Sequence, residues 1–127
     1  MSRKKKTDPE LFLPLSPAAF HLLVSLAREH KHGWAARKEI ERLTDGRIRM
    51  GTGTLYGLIK RLLQQELIAE SEHRPPEIWD DERRRYYRLT ELGRSVMLAE
   101  ASRMERALAV AEEVRNRLGA APEPEPA

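Results

Sequence analysis

The chain has 127 residues, enough for one domain with one core plus a long helix, and its 34% charged content exceeds the usual ~25%, as expected of a small protein with exposed helices. The absence of cysteine excludes a disulfide framework, a thiol nucleophile and a cysteine zinc site, and is compatible with a cytoplasmic location; no apolar run approaches the ~20 residues of a membrane span. A net charge of +3 is too small by itself to argue for nucleic acid, so the information must lie in where the charges sit.

Residues 1–14 read as a basic, flexible N-terminal arm with Arg3, Lys4, Lys5 and Lys6 at its start. Asp8-Pro9-Glu10 follows the cations, where a signal peptide would have an apolar core. Ser16-Pro17 marks a helix start, because serine caps free N–H groups and proline has no donor to lose at the first helical position. That helix should run to about Glu29 or His30. Its apolar residues, among them Phe20 and Leu23, occupy more than one face and need cover on more than one side, part of which a second subunit can supply. Gly33 breaks the pattern before a second helix over 35–43, with Trp34 expected in the core and Arg37, Lys38, Glu41 and Arg42 solvated. Asp45-Gly46 reads as a turn, and Arg47-Ile48-Arg49-Met50 as a short strand or extended piece. Gly51-Thr52-Gly53 then leads into a third helix from Thr54 to about Glu66.

Two strands, 67–72 and 84–89, flank a loop that holds Pro75-Pro76, Trp79 and the acidic run Asp80-Asp81-Glu82, which makes a hairpin. Thr90 caps a last helix, with Glu91 at its positive end, and Gly119 ends it. Residues 120–127 read as a disordered Pro/Glu tail. The order of three helices, a hairpin and a long helix predicts a mostly α protein with a small β-hairpin wing. It is a winged helix-turn-helix over 15–90 followed by a C-terminal dimerisation helix over 91–119.

The third helix carries the functional signal. At about 100° per residue, Leu55, Leu58, Ile59, Leu62 and Leu63 gather on one side. The other side carries Thr54, Tyr56, Gly57, Lys60, Arg61 and Gln64. From Gly46 to Gln65 there are four Arg or Lys residues, Arg49 among them, and no acid. Mid-helix glycine costs roughly 1 kcal/mol relative to alanine, and Gly57 would let the backbone approach a phosphate closely. Thr52 or Thr54 offers a cap. Lys60 and Arg61 suit phosphates, and Arg61 or Gln64 suits base edges. A solvated face with a tolerated glycine is the alternative. In the second strand, alternation puts Arg84, Tyr86 and Arg88 on one face, suited to the sugar-phosphate backbone, and Arg85, Tyr87 and Leu89 on the other. Pairing of these arginines with the acidic loop is the competing reading. In the last helix, Met97, Ala101, Met104, Leu108, Ala111 and Leu118 follow alternating four- and three-residue steps interrupted at Arg115, a heptad-like seam for a homodimer.

These motifs resemble the PadR family of bacterial transcriptional regulators. The resemblance rests on Gly51-Thr-Gly-Thr-Leu-Tyr-Gly-Leu-Ile-Lys-Arg-Leu, on Gln65-Glu-Leu-Ile and on Arg84-Arg-Tyr-Tyr-Arg-Leu-Thr-Glu-Leu-Gly93, with His32-Gly33-Trp34 before the second helix. It covers roughly residues 15–95. Thr52 stands where proline is common, and Glu66 where an acid-glycine turn is frequent. The resemblance implies a dimer, usually a repressor, that binds double-stranded DNA at a pseudo-palindromic operator and is released by a small-molecule effector. Some relatives stack an aromatic ligand on a tryptophan of the last helix, which here has no aromatic residue.

Nothing in the sequence points to an enzyme, a cofactor or a metal. His30-x-His32 has no acid at helical spacing, so solvated histidines are expected, and the Glu39/Glu41 and Asp80/Asp81 pairs lie in charged stretches read as exposed. The alternative to DNA binding is a winged-helix protein-interaction module. That reading calls for apolar residues, not cations, on the outer face of the third helix.

Overall fold

The structure, a computed structural model, describes residues 8–72 and 85–119. Helix α1, Pro17–Arg28, begins as its sequence dictates, with the Ser16 hydroxyl accepting from the Ala19 amide at 3.1 Å and Pro17 in the first turn. Helix α2 spans Gly33–Leu43 and α3 spans Thr52–Gln64. Strands β2 (Ile68–Ser71) and β3 (Tyr86–Leu89) form the wing, and α4 runs from Glu91 to Gly119.

The wing differs from the expected hairpin in having a third strand. Lys31–His32, β1, pairs antiparallel with β3, in the order β1-β3-β2, with His32 opposite Tyr86 and Tyr86 opposite Ser71. Two polar residues carry no apolar alternation, and the pairing is made by backbone groups that exist in every residue, so no side-chain pattern announces it. Gly33 therefore opens α2 rather than breaking the chain. His32 caps that helix, its Nδ1 accepting from the Ala35 amide at 3.1 Å. Arg47 to Met50 form no strand, although Met50 is buried.

One core joins the elements. Leu22, Leu23 and Leu26 of α1, Ile40 of α2, the apolar face of α3, and Leu67, Ile68, Tyr87 and Val96 are all buried. At ~25 cal/mol per Å² of apolar area removed from water, this common burial is the main force holding the three helices on the sheet. The turn inside the helix-turn-helix and the turn that follows it stop their helices in the same way. After α2, Gly46 N–H donates to the Glu41 carbonyl and Asp45 N–H to Arg42; after α3, Leu67 N–H donates to Leu62 and Glu66 N–H to Leu63. These are Schellman caps, and Asp45 and Glu66 occupy the left-handed positions at φ 53° and 62°.

The N-terminal segment is less free than expected over residues 8–14. Pro9–Phe12 form a 3-10 turn capped by Asp8, and Phe12 and Leu13 lie on the core. The fully buried Glu100 of α4 holds the junction to α1: its Oε2 accepts from the Leu15 amide at 3.0 Å, and Arg103 Nε donates to its Oε1 at 2.6 Å. Residues 1–7, residues 73–84 with Trp79 and Arg84 among them, and residues 120–127 lie outside the described residues.

Candidate nucleic-acid interface

Helix α3 turns its leucine face inward and its polar face out. Leu55, Leu58, Ile59 and Leu62 are buried, while Thr52, Thr54, Gly57, Lys60, Arg61 and Gln64 are exposed. Among the described residues no carboxylate makes an ion pair with Lys60 or Arg61. A Cβ built on Gly57 would meet nothing within 4 Å. Internal packing therefore does not require this glycine, and its effect is to leave the outer face bare. The expected threonine cap is absent: Gly51 is the N-cap and makes no side-chain cap bond. The first amides of α3 are thus free of protein acceptors from a cap and point out of an acid-free segment, an arrangement that favours an anion.

The other residues expected at this surface divide. Tyr56 is half-buried and leans toward α2, because a Cβ on Gly33 would lie 3.4 Å from its ring. Arg49 is exposed but paired with Glu41 at 3.3 Å. In the wing, Arg88 is exposed, and Tyr86 is half-buried with its ring edge-on to His32 at 5.5 Å between centroids. Tyr87 is buried on the opposite face, as period-two alternation requires. Arg85 pairs with Glu70 across the sheet at 2.8 Å. Arg84 lies outside the described residues.

Three sequence expectations are overturned near this surface. Trp34 is not in the core: it is 48% exposed, with Lys38 Nζ 4.3 Å from its ring centroid. Gly33 and Ala36 take the inward positions of that helical turn, which leaves the indole facing out. Arg37 is not simply solvated, since its Nη1 donates to the Met50 carbonyl at 2.9 Å and so anchors the segment that leads into α3. Glu39 is not exposed. Its side chain is 13% exposed, accepts from the Ser25 hydroxyl at 2.6 Å and pairs with the buried Lys31 at 3.3 Å. Burial pushes the Glu39 carboxyl up, but the hydrogen bonds from Ser25 and Lys31 outweigh it and hold the group below the usual carboxylate range. This cluster joins α1, β1 and α2 beneath the motif, and sequence spacing cannot show it because Ser25, Lys31 and Glu39 meet only through the tertiary fold. His30 and His32 are engaged as well: His30 Nδ1 lies 2.7 Å from the Ser71 hydroxyl, and His32 caps α2.

The seam expected on the last helix lies on a helix end that the subunit itself does not cover. Met97 is half-buried against the core, whereas Ala101, Met104, Leu108, Ala111 and Leu118 are exposed, Leu108 by 53% and Leu118 by 79%. Val110 and Val114 widen the apolar surface. Phe20 is half-buried on α1. Leu23 is fully buried in the subunit's own core, which removes it from any surface.

A helix-turn-helix whose second helix faces outward, backed by a small antiparallel sheet and followed by a long helix, defines the winged helix-turn-helix class. A profile of the transcriptional regulator PadR-like family matches residues 22–99, and the chain belongs to that family. The fold is similar to that of a PadR-like transcription factor from Bacteroides fragilis, at 18% identity and a TM-score of 0.60, covering 90% of this chain and 99% of that one. It is also similar to H. salinarum RosR, at 21% identity and a TM-score of 0.58 over 84% of this chain and 99% of that one. A transcriptional regulator from Clostridium thermocellum gives 23% identity and 0.58 over 80% and 89%. No curated protein matches the chain in sequence. Among the described residues, no helix is long and apolar enough to cross a membrane.

Proposed function

We propose that this PadR-like chain is a sequence-specific DNA-binding transcriptional repressor that acts as a homodimer on a pseudo-palindromic operator. The observation that carries the reading is the outer face of α3: Lys60 and Arg61 exposed without carboxylate partners among the described residues, Gln64 beside them, and a bare Gly57. Lys60 and Arg61 neutralise phosphates, Arg61 and Gln64 reach base edges, and Gly57 admits the backbone to the groove. Arg88 and Tyr86 of the wing lie along the sugar-phosphate backbone. The exposed seam of α4 pairs with a second copy and presents two reading helices to two half-sites. A small-molecule effector belongs to the same reading. The open groove of about 760 Å³ between the end of α1, β3 and the start of α4 holds Arg28, Arg88 and Arg94 beside Glu29 and Glu91, a lining for a polar ligand.

The alternative is a protein-docking module, which would present apolar side chains on α3. No apolar side chain is exposed there, and the two half-buried ones, Tyr56 and Leu63, pack against the core. The test is a fluorescence-anisotropy titration against the DNA upstream of the protein's own gene and a scrambled duplex. Lys60→Ala and Arg61→Ala should each weaken binding while melting like the parent, and Lys60→Ala should flatten the salt dependence. Gly57→Ala separates the two readings most sharply. It should stabilise the helix by up to ~1 kcal/mol and still weaken DNA binding, because the added methyl meets no protein atom. If all three variants bind DNA like the parent, the assignment of α3 fails.

A further inference from the structure

Tryptophan is usually buried in a core or an interface, yet Trp34 on the first turn of α2 is 48% exposed. It does not stand alone. Lys38, one turn later, places Nζ 4.3 Å from the ring centroid, and the Arg37 guanidinium lies 5.9 Å from it. No carboxylate among the described residues makes an ion pair with Lys38. The surface of the first helix of the motif therefore carries an indole flanked by two cations.

This patch is tied to both elements already assigned to DNA. Arg37 donates to the carbonyl of Met50, the residue before the Gly51 N-cap of α3. Gly33 approaches α3 so closely that a Cβ there would sit 2.9 Å from Ile59 Cδ1. On the other side His32 pairs with Tyr86 of β3 in the sheet. Trp34 thus stands on the helical turn where the reading helix and the wing strand converge.

We propose that Trp34 and Lys38 form a DNA sugar-phosphate contact flanking the groove that α3 enters, an inference that rests on the DNA-binding reading. The indole offers a flat apolar face to a deoxyribose and one N–H donor to a phosphate oxygen. Lys38, already held over the ring, adds a point charge to the neighbouring phosphate and releases its counterion. An apolar protein partner would leave the Lys38 ammonium buried without a counter-charge, whereas a polyanion supplies one.

Backbone contacts carry no sequence information, so the test needs no operator: a mixed-sequence duplex at low salt serves. The chain has two tryptophans, so in a Trp79→Phe variant the emission reports Trp34 alone. Adding the duplex should shift or quench that emission. Trp34→Ala should weaken binding about tenfold, equivalent to ~1.4 kcal/mol, with an unchanged melt. Lys38→Gln should lower the slope of log affinity against log salt by about 0.9. The inference is overturned, with the DNA-binding reading intact, if Lys60→Ala weakens binding while both new variants bind like the parent and the emission stays still. An emission change that follows protein concentration and ignores DNA also overturns it, and places Trp34 in a contact between copies. A parent protein that binds no duplex overturns both readings.

Discussion

Two residues show how closely single positions are constrained. Gly93, in the first turn of α4, lies against the carbonyl of Leu67: a Cβ there would fall 1.9 Å from that oxygen. The same carbonyl accepts the Thr90 amide at 3.1 Å, while the Thr90 hydroxyl accepts from the Gly93 amide at 2.9 Å. The Thr-x-x-Gly spacing therefore locks the long helix onto the turn between α3 and β2. Gly93→Ala must displace backbone, and should cost about 3 kcal/mol or more in urea unfolding at fixed protein concentration. Glu66 is the opposite case. It is exposed and sits at φ 62°, a conformation that costs an L-residue ~1–2 kcal/mol. Glu66→Gly should raise stability by about 0.5–1 kcal/mol, since glycine relieves that strain at a smaller cost in backbone entropy. An unchanged or lowered unfolding midpoint would show that the turn is held by something other than its caps.

At the scale of elements, Glu100 decides how the N-terminal segment meets α4. It is a buried carboxylate that accepts from Arg103 through both oxygens and from the Leu15 amide. The Arg103 hydrogen bond, opposed by burial and aided by the Leu15 amide, holds its carboxyl below the usual range. A depressed carboxylate contributes stability that is complete above the unfolded value, about 4.3, and is lost as pH falls through the folded value. Glu100→Gln should therefore be less stable at neutral pH by ~1–3 kcal/mol. The gap from the parent should begin to close as the pH drops below about 4.3, the unfolded value, and should vanish only below the depressed value of the folded carboxyl, where the native group is itself protonated. Unfolding curves of both proteins between neutral and acid pH check this; a gap that stays constant would assign the loss to packing.

The whole molecule leaves one large surface unexplained by its own fold. Beyond Glu100, α4 extends past the core with Met104, Leu108, Ala111 and Leu118 exposed at successive steps of four, three and seven residues. Arg115, the polar interruption of that seam, pairs with Glu112 on its own helix. Leu108→Glu combined with Met104→Glu places two like charges on each side of a symmetric interface. The proposed dimer predicts a parent that scatters light as a dimer and a double variant that scatters as a monomer and loses the preference for paired half-sites. A parent that is already monomeric would count against the seam.

The apolar faces of α1 and α3, the caps at Ser16 and Thr90 and the alternation of the second wing strand were all legible along the chain, because each depends on residues within one or two turns of each other. The outward position of Lys60, Arg61 and Gln64 follows from the same periodicity once Leu55, Leu58 and Leu62 are assigned to the core. What lies between elements was not legible. The third strand at Lys31–His32 is made by backbone pairing. The outward turn of Trp34 depends on Gly33 fitting beneath α3, while Glu39 is half-buried and Glu100 buried with partners 14 and 85 residues away in sequence. Local sequence thus determined the kinds of element and their inner faces through helical and strand periodicity. Only the tertiary structure decided which charged and aromatic groups would be enclosed, because enclosure depends on chain segments that no local pattern brings together.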